Sequence, residues 1–164
     1  MEIREIREAD LSACLAIYNR YITDTTVTFE ETPLTGEEWR ARVARITEKY
    51  PYLVACEDGR VLGYAYLDAY SARSAYRFTA DLSVYLDQAA TGKGIGGGLL
   101  AEIERRAAEM GIVNLISVVT GENRASMAFH EKHGFAQVGR PEKVGFKHGR
   151  WLDVVFYQKV LKKM

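Results

Sequence analysis

The segment TGKGIGGG, Thr91 to Gly98, sets five glycines around one lysine just ahead of the run LLAEIERRAAEMG. Glycine inside a helix costs about 1 kcal/mol relative to alanine, so glycines crowded into a helix start need a reason. A helix amino terminus supplies one. Its first amides have no intrahelical acceptor, its dipole is positive there, and glycine lets a pyrophosphate approach the backbone closely. Two other phosphate schemes fit less well. The P-loop requires serine or threonine after its lysine, and Gly94 follows Lys93. Gly92, Gly94 and Gly97 do satisfy G-x-G-x-x-G, yet the next strand-like run, VNLISVVT, ends without the carboxylate that a dinucleotide fold places there. His130, His133 and His148 have no short spacing matched to cysteine or paired acids, so no metal is expected.

The elements that must position these residues follow from period and punctuation. EIREI alternates as a strand, and Asp10 is placed to cap a helix with the stripe Leu11, Cys14, Leu15, Tyr18 and Ile22. Thr35 with Glu38 forms a capping box, and the helix it opens should reach about Lys49, ahead of Pro51. YLVACE and RVLGYAYLDAY flank Asp58-Gly59, a tight hairpin signal, and FTADLSVYL is a third strand, giving an antiparallel set. After the glycines, Ile95, Leu99, Ile103, Ala107 and Met110 share a helical face that Gly111 should end. IVNLISVVT follows as a buried strand, then a short helix from about Asn123 to His133, then GFAQVGR and RWLDVVFYQKVL as strands joined by a polar loop.

Composition limits the partners. The chain has 164 residues, 48% of them hydrophobic, enough for one substantial core, so residues 1–164 are expected as a single domain. Basic and acidic residues number 22 each, so no global field exists for nucleic acid or an anionic membrane, and any anion site must be local. MEIREIREAD is too charged for a signal peptide and no apolar run approaches a membrane span, which leads to the expectation of a cytoplasmic protein. Cys14, on an apolar helical stripe, and Cys56, in an apolar strand, are expected as buried thiols.

SVYLDQAATGKGIGGGLL followed by NRASMAFHEKHGF resembles the acetyl-CoA signature of the GNAT superfamily of N-acetyltransferases, with its Q/R-x-x-G-x-G/A loop and its N-x-x-S-x-x-x-Y-x-K-x-G-F-like helix. FEETPLTGEEW, SARSAYRFTADLSVYL and VGFKHGRWLDVVFYQ are similar, in content and order, to the phosphinothricin and methionine sulfone/sulfoximine acetyltransferase branch. The resemblance spans nearly the whole chain. It implies an α/β (α+β) GNAT fold, a mixed, mostly antiparallel sheet of about seven strands flanked by about four helices. It also implies transfer of an acetyl group from acetyl-CoA to the amine of a small amino-acid-like acceptor, by direct attack in a ternary complex, in a homodimer.

Residue by residue, the resemblance assigns the pyrophosphate to the amides of Gly92, Lys93, Gly94, Ile95, Gly96 and Gly97, with Lys93 able to add charge. Val84, Tyr85 and Leu86 would offer strand backbone to the pantetheine arm, a role suited to a strand edge left open by a splay or bulge. Asn123 and Ser126 fall where the family places polar cofactor contacts, although asparagine is also among the best helix caps. Asp81 stands where the branch carries glutamate and is expected as general base, through a water because its side chain is shorter; alternation puts it on a face with Ser83 and Tyr85. His130 replaces the family's tyrosine and is expected as an acid or as a hydrogen-bond partner for the cofactor sulfur. Arg73, with Ser71 and Ala72, would meet the acceptor's acidic group, with Arg77 and Lys147 next in line; Asp81, Leu82 and Ser83 would line the acceptor site, and Phe29 and Glu30 would wall it. Tyr76, Phe78 and Trp151 are expected as core or wall. One departure is Thr91, where the loop usually has glutamine or arginine. Two alternatives stay open on sequence alone: a protein amino-terminal or lysine acetyltransferase, and a non-catalytic acyl-CoA-binding module of the same fold.

Overall fold

The computed structural model describes residues 1–163. Strand β1 (Glu2–Glu5) precedes helices α1 (Leu11–Asp24) and α2 (Gly36–Thr47), and β2 (Tyr52–Glu57), β3 (Arg60–Ala69) and β4 (Thr79–Leu86) follow. Next come α3 (Ile95–Glu109), β5 (Asn114–Thr120), α4 (Arg124–Lys132), β6 (Ala136–Gly139), β7 (Gly145–Lys147), β8 (Arg150–Leu152) and β9 (Val154–Val160). Seven strands make one sheet in the order β1-β2-β3-β4-β5-β9-β6, and β7-β8 is a separate ribbon. Only the β4–β5 pair at the centre is parallel. This is the mixed, mostly antiparallel sheet with four α-helices that the family resemblance implies.

Alternation along β4 divides the molecule into two cores. Ala80 and Leu82, with Val84 and Leu86 behind them, face the apolar stripe of α3, Ile95, Leu99 and Ile103. Tyr85 faces α1 and α2 on the other side, in an aromatic layer with Tyr18, Trp39, Tyr52, Tyr64 and Tyr66. Cys14 and Cys56 are free thiols buried in this second core. The capping box on α2 forms as its spacing requires, with Glu38 N donating to Thr35 Oγ1 at 3.2 Å and Thr35 N donating to Glu38 Oε1 at 3.0 Å.

Three sequence expectations give way here. Asp10 does not cap α1 with its side chain, because a 3-10 turn over Glu8–Asp10 runs straight into the helix and places Asp10 inside the helical run. Its carboxylate reaches back to Arg7 N at 2.7 Å and forks with the Arg4 guanidinium at 2.7 and 3.0 Å. RWLDVVFYQKVL is not one strand. Asp153 breaks it: its side chain accepts from Lys143 N (2.8 Å) and Arg140 Nε (3.1 Å) while its carbonyl accepts from Gly121 N (2.8 Å), so β8 and β9 join different sheets and the polar loop before them contains β7. Finally, of the two places expected for Tyr76, Phe78 and Trp151, core is excluded: all three are exposed, Trp151 by 64%.

The β7–β8 ribbon folds over the loop after α1 and is held there. Lys147 is buried and its Nζ donates to Thr28 O at 2.7 Å. Arg150 forks onto Glu122 at 2.8 Å through both nitrogens, and Thr26 hydrogen-bonds the same carboxylate. Gly145 lies directly under Phe29, leaving no room for a side chain.

Candidate functional site

The site begins where two strands part. β4 and β5 pair only from Thr79–Asn114 to Asp81–Ile116, although β4 continues to Leu86 and β5 to Thr120. Each strand stays bound on its outer side, β4 to β3 as far as Leu86 and β5 to β9 as far as Thr120, so the inner edges open into a wedge. Asp87 N donates to Leu62 O at 2.9 Å, which fixes the phase of the β3–β4 ladder: Asp81, Ser83 and Tyr85 turn their backbone groups to β3, while Leu82, Val84 and Leu86 turn theirs to the wedge. The Leu86 carbonyl already accepts from Tyr21 Oη at 2.5 Å. Val84 N–H and C=O and Leu86 N–H therefore remain for an extended ligand. Tyr85 lines the same cavity, but it does not offer free backbone as the sequence expectation had it, because its backbone is paired with Tyr64 and its ring is in the aromatic layer.

At the mouth of the wedge stands the amino terminus of α3. Gly92 and Gly94 have φ of +76° and +77°, a left-handed backbone that disfavours every L side chain, and together they swing the chain into the helix. No side chain caps α3, and its first helical bond runs from Gly98 N to Gly94 O at 3.1 Å. The amides of Ile95, Gly96 and Gly97 thus find no acceptor among the described residues, and they point outward with the positive end of the helix dipole. The later glycines serve packing instead. A Cβ at Gly96 would lie 3.2 Å from the Phe129 ring, one at Gly97 3.2 Å from His133, and one at Gly98 3.2 Å from Ile3. At Gly96 it is α4 that uses the space a side chain would fill, while the amide stays unpaired among the described residues. Lys93 is exposed beside the loop, and Thr91 turns its hydroxyl back onto Gln88 O at 3.1 Å.

Helix α4 closes the far side. Asn123 caps it, its Oδ1 accepting from Ser126 N at 3.2 Å, which leaves the side-chain NH₂ for other partners. His130 is buried between Tyr157 and Phe135. Its Nδ1 lies 2.7 Å from Ser126 O, and a carbonyl only accepts, so Nδ1 carries the proton and Nε2 accepts from Ser117 Oγ at 2.8 Å. Burial holds the imidazole below its ordinary pKa, so it is neutral near pH 7. Ser117, which sequence reasoning did not single out, is the residue His130 holds; nothing local in the sequence marks it. Between β4, the glycine loop and α4 lies a cavity of about 320 Å³, touching Val84, Gly92, Gly96, Asn123, Ser126 and His130.

On the opposite face of β4, Asp81 is half-buried where the wedge opens, and its carboxyl is pushed up to about 7, first by burial and then by Asp68 across the ladder. Leu82 is turned away into the α3 core, so of the predicted acceptor-lining trio only Asp81 and Ser83 share this face. Ser71, Ala72 and Arg73 lie in the loop before β4, and Arg73 is exposed with no ion pair among the described residues. Arg77 is turned onto Phe78, 4.4 Å from its ring, and donates to Ser74 O. Glu30 departs from its expected role as a free wall. Arg42 (2.5 and 3.2 Å) and Tyr18 Oη (2.5 Å) occupy its carboxylate; burial pushes that group up, and these partners outweigh it and hold it below its usual range. Phe29 lies against Gly145, and buried Lys147 is committed to Thr28 O, so of the reserve cations Lys147 is not free for a ligand. Among the described residues no group of His, Cys, Asp and Glu side chains is arranged to hold a metal ion.

An open strand edge leading to unpaired amides at a helix mouth is a shape made for a long ligand with amides along its arm and an anionic end, and Asp81 adds a carboxylate of raised proton affinity beside it. Residues 3–156 match the model of the acetyltransferase (GNAT) domain. The chain belongs to that family, whose members take their acetyl group from acetyl-CoA. Within it, the chain is 44% identical over 161 residues to a phosphinothricin N-acetyltransferase of Alcaligenes faecalis, covering 97% of this chain and 82% of the relative. It is 38% identical to an L-methionine sulfoximine/L-methionine sulfone acetyltransferase of Pseudomonas aeruginosa, covering 95% and 92%. A crystal structure of a phosphinothricin acetyltransferase from Sinorhizobium meliloti in complex with AcCoA superposes with a TM-score of 0.94 at 41% identity, covering 97% of this chain and 87% of that one.

Valine at Gly94 would force a β-branched residue into the left-handed region at the helix mouth, and leucine at Gly96 would push Phe129 into the cavity. Either change should raise the Michaelis constant for acetyl-CoA about tenfold or more. Gly98→Ala, on the Ile3 side of the helix, should leave it near the wild-type value. Equal constants for all three folded variants would contradict the assignment of the loop.

Proposed function

We propose that this chain is an acetyl-CoA-dependent N-acetyltransferase that acetylates the amine of a small amino-acid-like acceptor such as phosphinothricin or methionine sulfone/sulfoximine, by direct attack in a ternary complex. The observation that carries the reading is Asp81: a carboxylate with no side-chain hydrogen-bond partner among the described residues, raised to about 7, at the point where the central strands separate. Relatives named for that activity across nearly the whole chain support the choice of acceptor.

Acetyl-CoA, when bound, supplies an acetyl group activated as a thioester. The edge groups of Val84 and Leu86 hold the pantetheine arm as an added strand is held, and the amides of Ile95, Gly96 and Gly97, approached past Gly92 and Gly94, hold the pyrophosphate with Lys93 beside them. Asn123 directs its side-chain NH₂ at the arm, and Ser126 lines the same wall. An amino-acid amine is largely protonated at neutral pH, so a proton must leave before attack. Asp81 takes it, through a water given the short side chain, and Ser83 shares that face. His130 acts best as a positioning residue: neutral and engaged at both nitrogens, it fixes Ser117 and the first turn of α4 instead of donating a proton. Arg73, exposed and uncommitted, meets the acceptor's carboxylate or phosphinate, with Ser71 and Ala72 shaping its loop; Phe29 forms one wall, and Glu30 stiffens that wall through Arg42 and Tyr18.

Residues 1–164 work as one domain, since one seven-stranded sheet takes in both β1 and β9; Met164 itself lies outside the described residues. Balanced charge supports a partner list of small molecules without nucleic acid or membrane, and the protein acts in the cytoplasm; no helix among the described residues is long and apolar enough to cross a membrane. The enzyme is a homodimer, a reading supported by the exposed pair Phe146 (54%) and Trp151 (64%), whose rings lie 5.0 Å apart on the β7–β8 ribbon. Sedimentation should give twice the chain's mass, and a value for one chain at micromolar concentration would contradict it.

Turnover should fall as pH drops below about 7, because the raised carboxyl of Asp81 is then protonated and cannot accept. Asp81→Asn should lower kcat about a hundredfold or more while acetyl-CoA still binds. Near-normal turnover in that folded variant would remove Asp81 from the mechanism.

Arg73→Lys keeps the charge and loses the paired geometry, so it should weaken an amino-acid acceptor by about 1 to 3 kcal/mol. The acetyl-CoA constant should not move. Comparison with an amine lacking a carboxylate decides the matter: an equal loss on both acceptors would show that Arg73 supports the loop rather than the acidic group.

A further inference from the structure

Asp81 has a second carboxylate for a neighbour. In the β3–β4 ladder it registers directly with Asp68, in the same hydrogen-bonded phase as Tyr66–Ser83 and Tyr64–Tyr85, so the two aspartates stand on one face of the sheet. Opposed residues in such a ladder have Cβ atoms about 5 Å apart, and like charges there repel. Asp68 has partners of its own. It is tied in place by a fork from Arg45 of α2, 3.2 Å from Nη1 to Oδ1 and 3.0 Å from Nη2 to Oδ2, and its Oδ1 also accepts from Ala69 N at 2.8 Å. A hydrophobic residue at this place in β3 would serve the core as well, whereas an aspartate fixed opposite the base has an electrostatic consequence for the base.

The other groups around Asp81 leave this pair as its main charged surroundings. On β3, Tyr66 is next on the same face, a phenol held above its ordinary pKa by burial, with Arg42, Asp68 and Glu30 farther out. From the turn between α2 and β2, Tyr50 faces both aspartates, its phenol pushed up by burial and by the two of them. β5 presents Ile116 opposite Asp81, and β9 behind it presents Gln158, neither of which titrates. In the loop before β4, Arg77 is stacked on Phe78 and Arg73 projects outward.

We propose that Asp68 and Arg45 form a positioning pair that sets the proton affinity of Asp81: the Asp68 carboxylate raises it, and the Arg45 guanidinium limits how far. The base is thus ionised on the alkaline side of neutrality yet binds a proton firmly enough to draw one from an acceptor ammonium. This inference rests on Asp81 being the base, and it adds two residues that touch neither substrate.

The two halves of the pair predict shifts of opposite sign, which a merely structural role would not produce. The measurement is the 13C NMR titration of the Asp81 carboxyl in the resting enzyme, alongside the acid limb of kcat with both substrates saturating. Asp68→Asn removes the repulsion, so both should move to lower pH by roughly half to one unit. Arg45→Gln leaves Asp68 uncompensated, so both should move to higher pH. Arg45→Lys keeps the charge and should stay with the wild type. Shifts of the same sign in Asp68→Asn and Arg45→Gln, or no shift in either, would overturn the proposal even if Asp81→Asn is inactive. If instead the NMR titration moves as expected while the kcat limb does not follow it, the base assignment fails and the electrostatic coupling stands.

Discussion

The separation of β4 from β5 after Asp81 is the constraint on which the rest of the structure depends. A parallel pair in the middle of a sheet would ordinarily stay zipped, since every unpaired amide left in a dry interior costs free energy. Here both strands keep full ladders with their outer neighbours, β3 and β9, and only the facing edges are surrendered. The cost is limited because the fold partly covers those edges: Tyr21 satisfies the Leu86 carbonyl, and the Ser117–His130–Ser126 chain knits the start of α4 to β5. What remains open is a strip of backbone with the hydrogen-bonding pattern of a missing strand.

That strip dictates where chemistry can occur. An arm bound along Val84 and Leu86 has its anionic end at the α3 terminus, so its reactive end must lie deeper in the wedge, near Asp81 and Ser117. Asp81 and the aromatic layer share one face of β4, which explains the raised carboxyl: the tyrosines desolvate that side of the sheet while Asp68 opposes the charge. The loop after α1 and the β7–β8 ribbon bound the same space, and they are fixed by buried Lys147 and by the Arg150–Glu122–Thr26 cluster. Residues that looked like ligands in the sequence, Glu30 and Lys147, are therefore braces of the loop after α1 and the ribbon.

Most of the strands and helices were legible because their signals are local. Thr35 with Glu38, Asp58 with Gly59, and the apolar stripe of α3 each specify an element within a few residues, and each formed as expected. The glycine loop was legible for the same reason. Failures came where distant groups decided the outcome. Asp10 serves Arg4 and Arg7 instead of a helix, and Asp153 splits a run of good strand formers because Arg140, Lys143 and Gly121 converge on it. Which β4 residues turn their backbone to the wedge depends on register with β3, and the loop of residues 70–78 between those strands sets that register without a short-turn signature; hence the backbone role expected of Tyr85 falls to its neighbours, and Asp68 went unnoticed.

Amide hydrogen exchange with and without acetyl-CoA tests most directly whether the parted strands and the α3 terminus hold that molecule. On addition of acetyl-CoA, protection should rise at the amides of Val84, Leu86, Ile95, Gly96 and Gly97, while Tyr85, already paired with β3, should change little. Protection confined to another part of the surface, such as the groove between α1 and the β2–β3 turn, or strong new protection at Tyr85 with none at Val84, would contradict the geometry described for the wedge.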